Sequence, residues 1–104
     1  MMEGQQALEL KERGNAAYKQ SLFEESISLF SEAIKLDDQN STFFCNRSMA
    51  LAALGRWTDS LKDAKIAIKL NPLYVKAHCR LLKACIELNH MKEAKIMFMV
   101  SNKK

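Results

Sequence analysis

A sequence period of 34 runs through this chain of 104 residues, and no other property restricts its fold as much. Phe23, Trp57 and Met91 are spaced by it, and so are Ser26, Ser60 and Ala94, so each copy carries a large apolar residue and then a small one. The same offset links Ala33 to Ala67, Lys35 to Lys69 and Leu36 to Leu70, and earlier in the unit it links Leu10, Phe44 and His78, and Ala17, Leu51 and Cys85. Three copies result, at 7–40, 41–74 and 75–104, the last one incomplete. They form a single domain.

Inside each copy the apolar residues recur at helical spacing twice. Gln20-Ser21, Gly55-Arg56 and Asn89-His90 read as breaks within units, while 37–40 and Asn71-Pro72 read as breaks between them. Each unit is therefore expected to be a helical hairpin, with helices at 3–19, 22–36, 41–54, 57–70, 73–88 and 91–100. No strand period occurs, which makes the chain all-α.

Composition narrows the functional classes. At 48% hydrophobic and 27% charged, with three Gly and one Pro, the chain is a small soluble domain rather than a fibrous or disordered one. Its longest wholly apolar run, 49–54, is far short of the roughly 20 residues needed to span a membrane. The N-terminus has no basic and apolar leader pattern, so the expected compartment is the cytosol. Cys45, Cys79 and Cys85 are an odd set without a Cys-x-x-Cys pair, neither a disulfide framework nor a zinc site, and they read as reduced packing residues. His78 and His90 have no carboxylate or thiol at ligand spacing, so no metal and no cofactor is expected. The net charge of +4 is spread among alternating signs, with no Arg-rich run to suggest nucleic acid. No nucleophile with an adjacent base, glycine-rich phosphate loop or paired acid stands out, so an enzyme is not expected.

The period, the small positions and Gly14, Tyr18, Ser26, Phe30 and Ala33 in the first copy, with Ser48, Ser60, Ala67 and Pro72 in the second, resemble the tetratricopeptide repeat. The resemblance covers Ala7 to the end of the chain. It implies three helical hairpins stacked in a right-handed superhelix, an α-solenoid whose first helices line a concave inner face. Two departures stand out: Gly14 becomes Ser48 and then Leu82, and the position of Pro72 is Asp38 in the first copy.

Several polar residues fall where they can converge on that inner face. Lys11 and Asn15 are four apart on the first helix, Lys76 and Arg80 have the same spacing on the fifth, and Asn46 lies on the third. Lysine provides a point charge, arginine a fork of donors and asparagine a neutral amide, a combination suited to one or two carboxylates. The set resembles the two-carboxylate clamp of chaperone-binding tetratricopeptide domains, in which the pattern is Lys-x-x-x-Asn, Asn and Lys-x-x-x-Arg on helices one, three and five. By that resemblance the partners are the C-terminal tails of chaperones of the 70-kDa or 90-kDa class, ending Glu-Glu-Val-Asp.

Accessory positions are open to more than one role. Tyr18 and Thr42 share the face of the clamp, although Tyr18 is equally placed for the core; Met49, Ala52 and Ala53 leave the middle of the groove apolar, or simply pack. Lys83, three after Arg80, can meet acidic residues upstream in a tail or stand in solvent. Trp57 reads as core, and Met91, Met97 and Met99 as packing of the last helix. The competing reading is a scaffold that assembles through its convex face or its last helix, because the apolar run 96–100 is followed by no capping helix. A homo-oligomer through that helix is the corresponding expectation.

Overall fold

The computed structural model describes residues 2–101, with side chains described as far as Met97 and at Met99. Five helices succeed one another: α1 (Met2–Lys19), α2 (Phe23–Leu36), α3 (Ser41–Ala53), α4 (Trp57–Leu70) and α5 (Val75–Ser101). No strand occurs among the described residues, and none of the helices is long and apolar enough to cross a membrane. The first two units are helical hairpins, as the repeat implies, and α5 packs on α4 at the end of the stack.

The two hairpins turn in the same way. The Leu22 amide donates to the Ala17 carbonyl and the Ser21 amide to that of Tyr18; one repeat later, Arg56 donates to Leu51 and Gly55 to Ala52. This is the paired closure of a helix end in which one residue adopts left-handed backbone. Ser21 (φ 62°) and Gly55 (φ 73°) are those residues. Between repeats, Asn40 starts α3 by accepting the Thr42 amide on its side chain at 2.9 Å.

Small residues set how closely the paired helices cross. Ser26 Oγ donates to the Gly14 carbonyl at 2.9 Å, and in the second hairpin Ser48 Oγ donates to the Ser60 carbonyl at 2.7 Å while Ser60 Oγ donates to the Ser48 carbonyl at 2.8 Å. All three serines are fully or almost fully buried, so a hydroxyl is accommodated there only because it finds a backbone acceptor. Phe30 lies against Gly14: a Cβ on that glycine would stand 2.5 Å from the ring. Between repeats, Ile34 packs on two groups of buried residues, Ala7, Ala33 and Phe43 on one side and Phe44, Cys45, Ala67 and Ala77 on the other.

Arg47 faces away from the inner side. Its guanidinium grips Asp63 of α4 through Nε at 2.7 Å and Nη2 at 2.8 Å, and Nη1 donates to Ser31 Oγ of α2 at 3.1 Å. Asp63 is almost wholly buried, so its charge depends on this fork. The bonds to Asp63 raise the Arg47 pKa further above its ordinary value, outweighing the effect of burial.

The third unit departs from expectation. The break at Asn89-His90 does not form; the chain continues as one helix of 27 residues from Val75 to Ser101, and His90 is helical rather than in a turn. Leu82 stands where Gly14 and Ser48 allow close approach, and Ala94 stands where Ser26 and Ser60 supply a hydroxyl. A third crossing would thus meet a bulky side chain and have no hydroxyl-to-carbonyl bond. At the expected turn Asn89 donates from Nδ2 to Glu93 Oε1 at 3.0 Å, a bond along the helix. Met91, Met97 and Met99, expected to pack the last helix, are 56%, 70% and 55% exposed, because no sixth helix folds back to cover α5 among the described residues. Phe98, Val100 and 102–104 lie outside the described side chains.

This packing sets the cost of two kinds of substitution. Gly14→Ala should lower unfolding free energy by about 1–3 kcal/mol in urea melts, since the buried Phe30 ring has nowhere to retreat. Gly4→Ala, with nothing within 4 Å, should change it by less than about 1 kcal/mol. Asp63→Ala should cost about 3 kcal/mol by stranding Arg47, whereas Asp59→Ala, which removes the exposed pair with Arg56, should cost less than about 1 kcal/mol. Equal losses at Asp63 and Asp59 would contradict the assigned role of the buried pair.

Candidate functional site

A cavity of about 510 Å³ opens between α1, α3 and α5, on the side opposite the Arg47–Asp63 pair. α1 contributes Asn15, α3 contributes Thr42, Cys45, Asn46 and Met49, and the start of α5 contributes Val75, Lys76, Cys79 and Arg80, with Tyr74 immediately before it. Helical periodicity explains the set: Thr42, Cys45, Asn46 and Met49 recur at steps of three and four, as do Lys76, Cys79 and Arg80. Stacking of the repeats then brings the three inner helices side by side.

Of the five residues suggested for a carboxylate clamp, Asn15, Asn46, Lys76 and Arg80 line this one cavity. Asn46 Nδ2 donates to Asn15 Oδ1 at 3.0 Å, linking α3 to α1 across the groove. That bond uses the Asn15 oxygen and leaves its Nδ2 donor for a ligand. Lys11 stands one turn before Asn15 on α1, half-buried and outside the lining of the cavity.

The accessory positions divide. Thr42 and Met49 line the cavity, while Tyr18 packs edge-on against Phe23, ring centroids 5.2 Å apart. Ala53 is exposed at the end of α3, outside the cavity. Lys83 pairs with Glu87 at 3.0 Å and lies over the half-buried Trp57 ring at 5.9 Å, which directs it away from the groove.

Two of the three cysteines are not the packing residues expected. Only Cys45 is buried; Cys79 and Cys85 are exposed. Helical position explains the difference: α5 turns Ala77 and Ala84 into the stack, and leaves Cys79 exposed on the wall of the open cavity and Cys85 exposed outside it. Burial pushes the Cys45 thiol above its ordinary range, against the lowering effects of the Tyr74 hydroxyl and the Arg80 and Lys76 charges. Burial also raises the Tyr74 phenol, opposed by the Thr42 hydroxyl. Both groups are therefore neutral at pH 7, and the cavity's charge comes from Lys76 and Arg80.

Tyr74, Val75, Cys45 and Cys79 are groove residues that the sequence reading does not include. For the cysteines a signal exists. Lys11, Cys45 and Cys79 are each 34 apart and so hold one position on successive inner helices. Tyr74 has no such signature, because its counterpart one repeat earlier is the helix-capping Asn40.

Paired antiparallel helices repeated along one axis, with a cation- and amide-lined cavity on the side of the first helices, define a helical-repeat solenoid domain. No protein-family model matches the chain. It is 39% identical over 90 residues, 86% of its length, to Protein STIP1 homolog of Dictyostelium discoideum, and it spans only 16% of that relative. Among solved structures it matches the first TPR of Spaghetti (RPAP3), bound to HSP90 peptide SRMEEVD, with a TM-score of 0.82 and 34% identity, over 88% of this chain and 73% of the other. The second TPR domain of human RPAP3, in complex with HSP70 peptide SGPTIEEVD, matches with a TM-score of 0.81 and 32% identity, over 94% and 82% of the two chains. The chain belongs to the tetratricopeptide-repeat family.

The thiols offer a check on the geometry of the groove. At neutral pH a soluble aromatic disulfide reagent should titrate two cysteines in the folded protein and all three in denaturant, with Cys45 the late one. Rapid reaction of Cys45 in the folded state would show that α3 and α5 are not closed over it.

Proposed function

We propose that this domain is a binding module, without catalytic activity of its own, that captures the C-terminal Glu-Glu-Val-Asp tails of heat-shock chaperones of the 70-kDa or 90-kDa class. The observation that carries this reading is the convergence of Asn15, Asn46, Lys76 and Arg80 on one cavity, in a chain whose structural neighbours are held with peptides ending in EEVD.

The chemistry suits such a tail. A terminal aspartate presents two carboxylates from one residue, its α-carboxylate and its side chain. Lys76 and Arg80 supply the two charges, and the Arg fork can donate two parallel bonds to one carboxylate. Asn15 and Asn46 supply neutral donors, which distinguish a carboxylate held at a fixed distance from any diffuse negative charge. Met49, Tyr74 and Val75 give the neighbouring valine an apolar wall. Lys11, one turn before Asn15 on α1 and outside the cavity lining, is assigned the role of an outer cation. A cytosolic setting, the compartment expected from the sequence, goes with this reading.

A disordered tail loses conformational freedom on binding, so the affinity is expected in the micromolar range and should fall with salt, since exposed charges are screened over about 8 Å at physiological ionic strength. Isothermal titration with an EEVD-ended peptide tests the reading. Lys76→Ala or Arg80→Ala should each weaken binding by about one to two decades while leaving helicity unchanged, because each removes a charged donor and no core atoms. Unaltered binding in both variants would overturn it.

A second reading is favoured by a separate observation. Leu82, Ile86, Ile96 and Met97 are exposed along α5. The expected homo-oligomer would form by pairing this helix with that of a second copy, and it is compatible with tail capture by the inner groove. Sedimentation equilibrium should then show a mass that rises with concentration; a monomer throughout the accessible range would remove this reading.

A further inference from the structure

The tail cavity holds two thiols that play no part in the proposed recognition. Cys45 lies at its floor, buried, and Cys79 on its α5 wall, exposed. Cys79 stands about one turn after Lys76 and directly precedes Arg80, and it lines the same cavity as these two cations assigned to the tail's carboxylates. It occupies the register that carries Cys45 on α3 one repeat earlier, and both residues line the cavity. Cys85, also exposed and on the same helix, does not line the cavity and provides an internal reference.

A cradle of cations that takes up carboxylates also concentrates any small anionic disulfide near this thiol. We propose that Cys79 is a thiol-exchange site at which a peptide disulfide bearing carboxylates, of the glutathione disulfide class, forms a mixed disulfide that fills the cavity and excludes the chaperone tail. The inference rests on the assignment of Lys76 and Arg80 to tail binding.

The step balances without any further reactant. Cys79 gives its proton to water, and its thiolate attacks one sulfur of the disulfide. A new bond forms between Cys79 Sγ and that sulfur while the original S–S bond breaks. The expelled half leaves with the bonding electron pair and takes up a proton. Cys79 is thereby oxidised to the disulfide level and the departing half is reduced to a thiol. Cys45 is buried, so it does not go on to attack the mixed disulfide and complete an internal one. Excess thiol runs the exchange backwards, so the block is reversible.

The test uses the full chain, with glutathione disulfide as the anionic probe and cystamine as the cationic one, read by intact mass and peptide mapping. Glutathione disulfide should modify Cys79 about tenfold or more faster than Cys85, and cystamine should show no such preference. Excess EEVD-ended peptide should protect Cys79 and leave Cys85 unprotected. In a Cys85→Ser protein, the adduct of one glutathionyl group should weaken tail binding about tenfold or more, and dithiothreitol should restore it.

Equal rates at Cys79 and Cys85, undiminished tail affinity in the Cys79 adduct, or loss of two hydrogens through a Cys45–Cys79 disulfide would each overturn the inference. The affinity of the reduced protein separates this from the parent reading. Normal tail binding with an unreactive Cys79 defeats the thiol site alone. Absent tail binding with a Cys79 that still prefers the anionic disulfide defeats the tail reading, and with it the block of the tail, and leaves only the thiol-exchange site standing.

Discussion

Close crossing of paired helices is the constraint on which the rest of the molecule depends. In each complete hairpin a glycine or serine lets two backbones approach, and serine hydroxyls satisfy the carbonyls at the contact. The approach brings Phe30 against Gly14 in the first pair. Because both pairs cross in the same way, the second stacks on the first in the same orientation, and Ile34 packs into the buried groups on either side. The inner helices then lie in register, which places Asn15, Asn46 and Arg80 on one surface although each comes from a different repeat.

The third unit shows the consequence of losing that contact. Leu82 takes the place of a small residue and Ala94 that of a serine, so a folded-back helix would gain neither close packing nor the hydroxyl bond. Continuing the helix satisfies its backbone groups locally at no such cost. The inner half of α5 keeps its place because Ala77 and Ala84 are small enough to bury against the stack. The site is therefore retained in a unit that has not formed its hairpin.

Much of this was legible in the sequence because period and helical spacing are local properties. The turns at Ser21 and Gly55 could be read from breakers, and both carry the left-handed residue that closes the preceding helix. Asn89-His90 looks similar as a dipeptide. What distinguishes it is the packing open to Leu82 and Ala94, and a break signal carries no information about that packing. Arg47 illustrates the same limit: it directly follows Asn46 in the sequence, and its partner Asp63 on α4 becomes evident only in the packed structure. The exposure of Cys79 and Cys85 likewise depends on which neighbour covers α5, a tertiary matter. Asn15, Asn46, Lys76 and Arg80 could be grouped because each lies on the first helix of a repeat and the set resembles the two-carboxylate clamp pattern, whereas Tyr74, outside any such position, could not.

The central claim is that the tail's two terminal carboxylates are held by the inner cavity and not by charge spread over a basic surface. Amide chemical shifts of the labelled protein, recorded while an EEVD-ended peptide is added, test this most directly. The expected result is saturating shifts confined to α1, α3 and the first half of α5 around Asn15, Asn46, Lys76 and Arg80, with α2 and the outer side of α4 unmoved, and their near-disappearance when the peptide's terminal carboxylate is amidated. Shifts scattered over the lysines of the outer helices, or shifts unchanged by amidation, would contradict it.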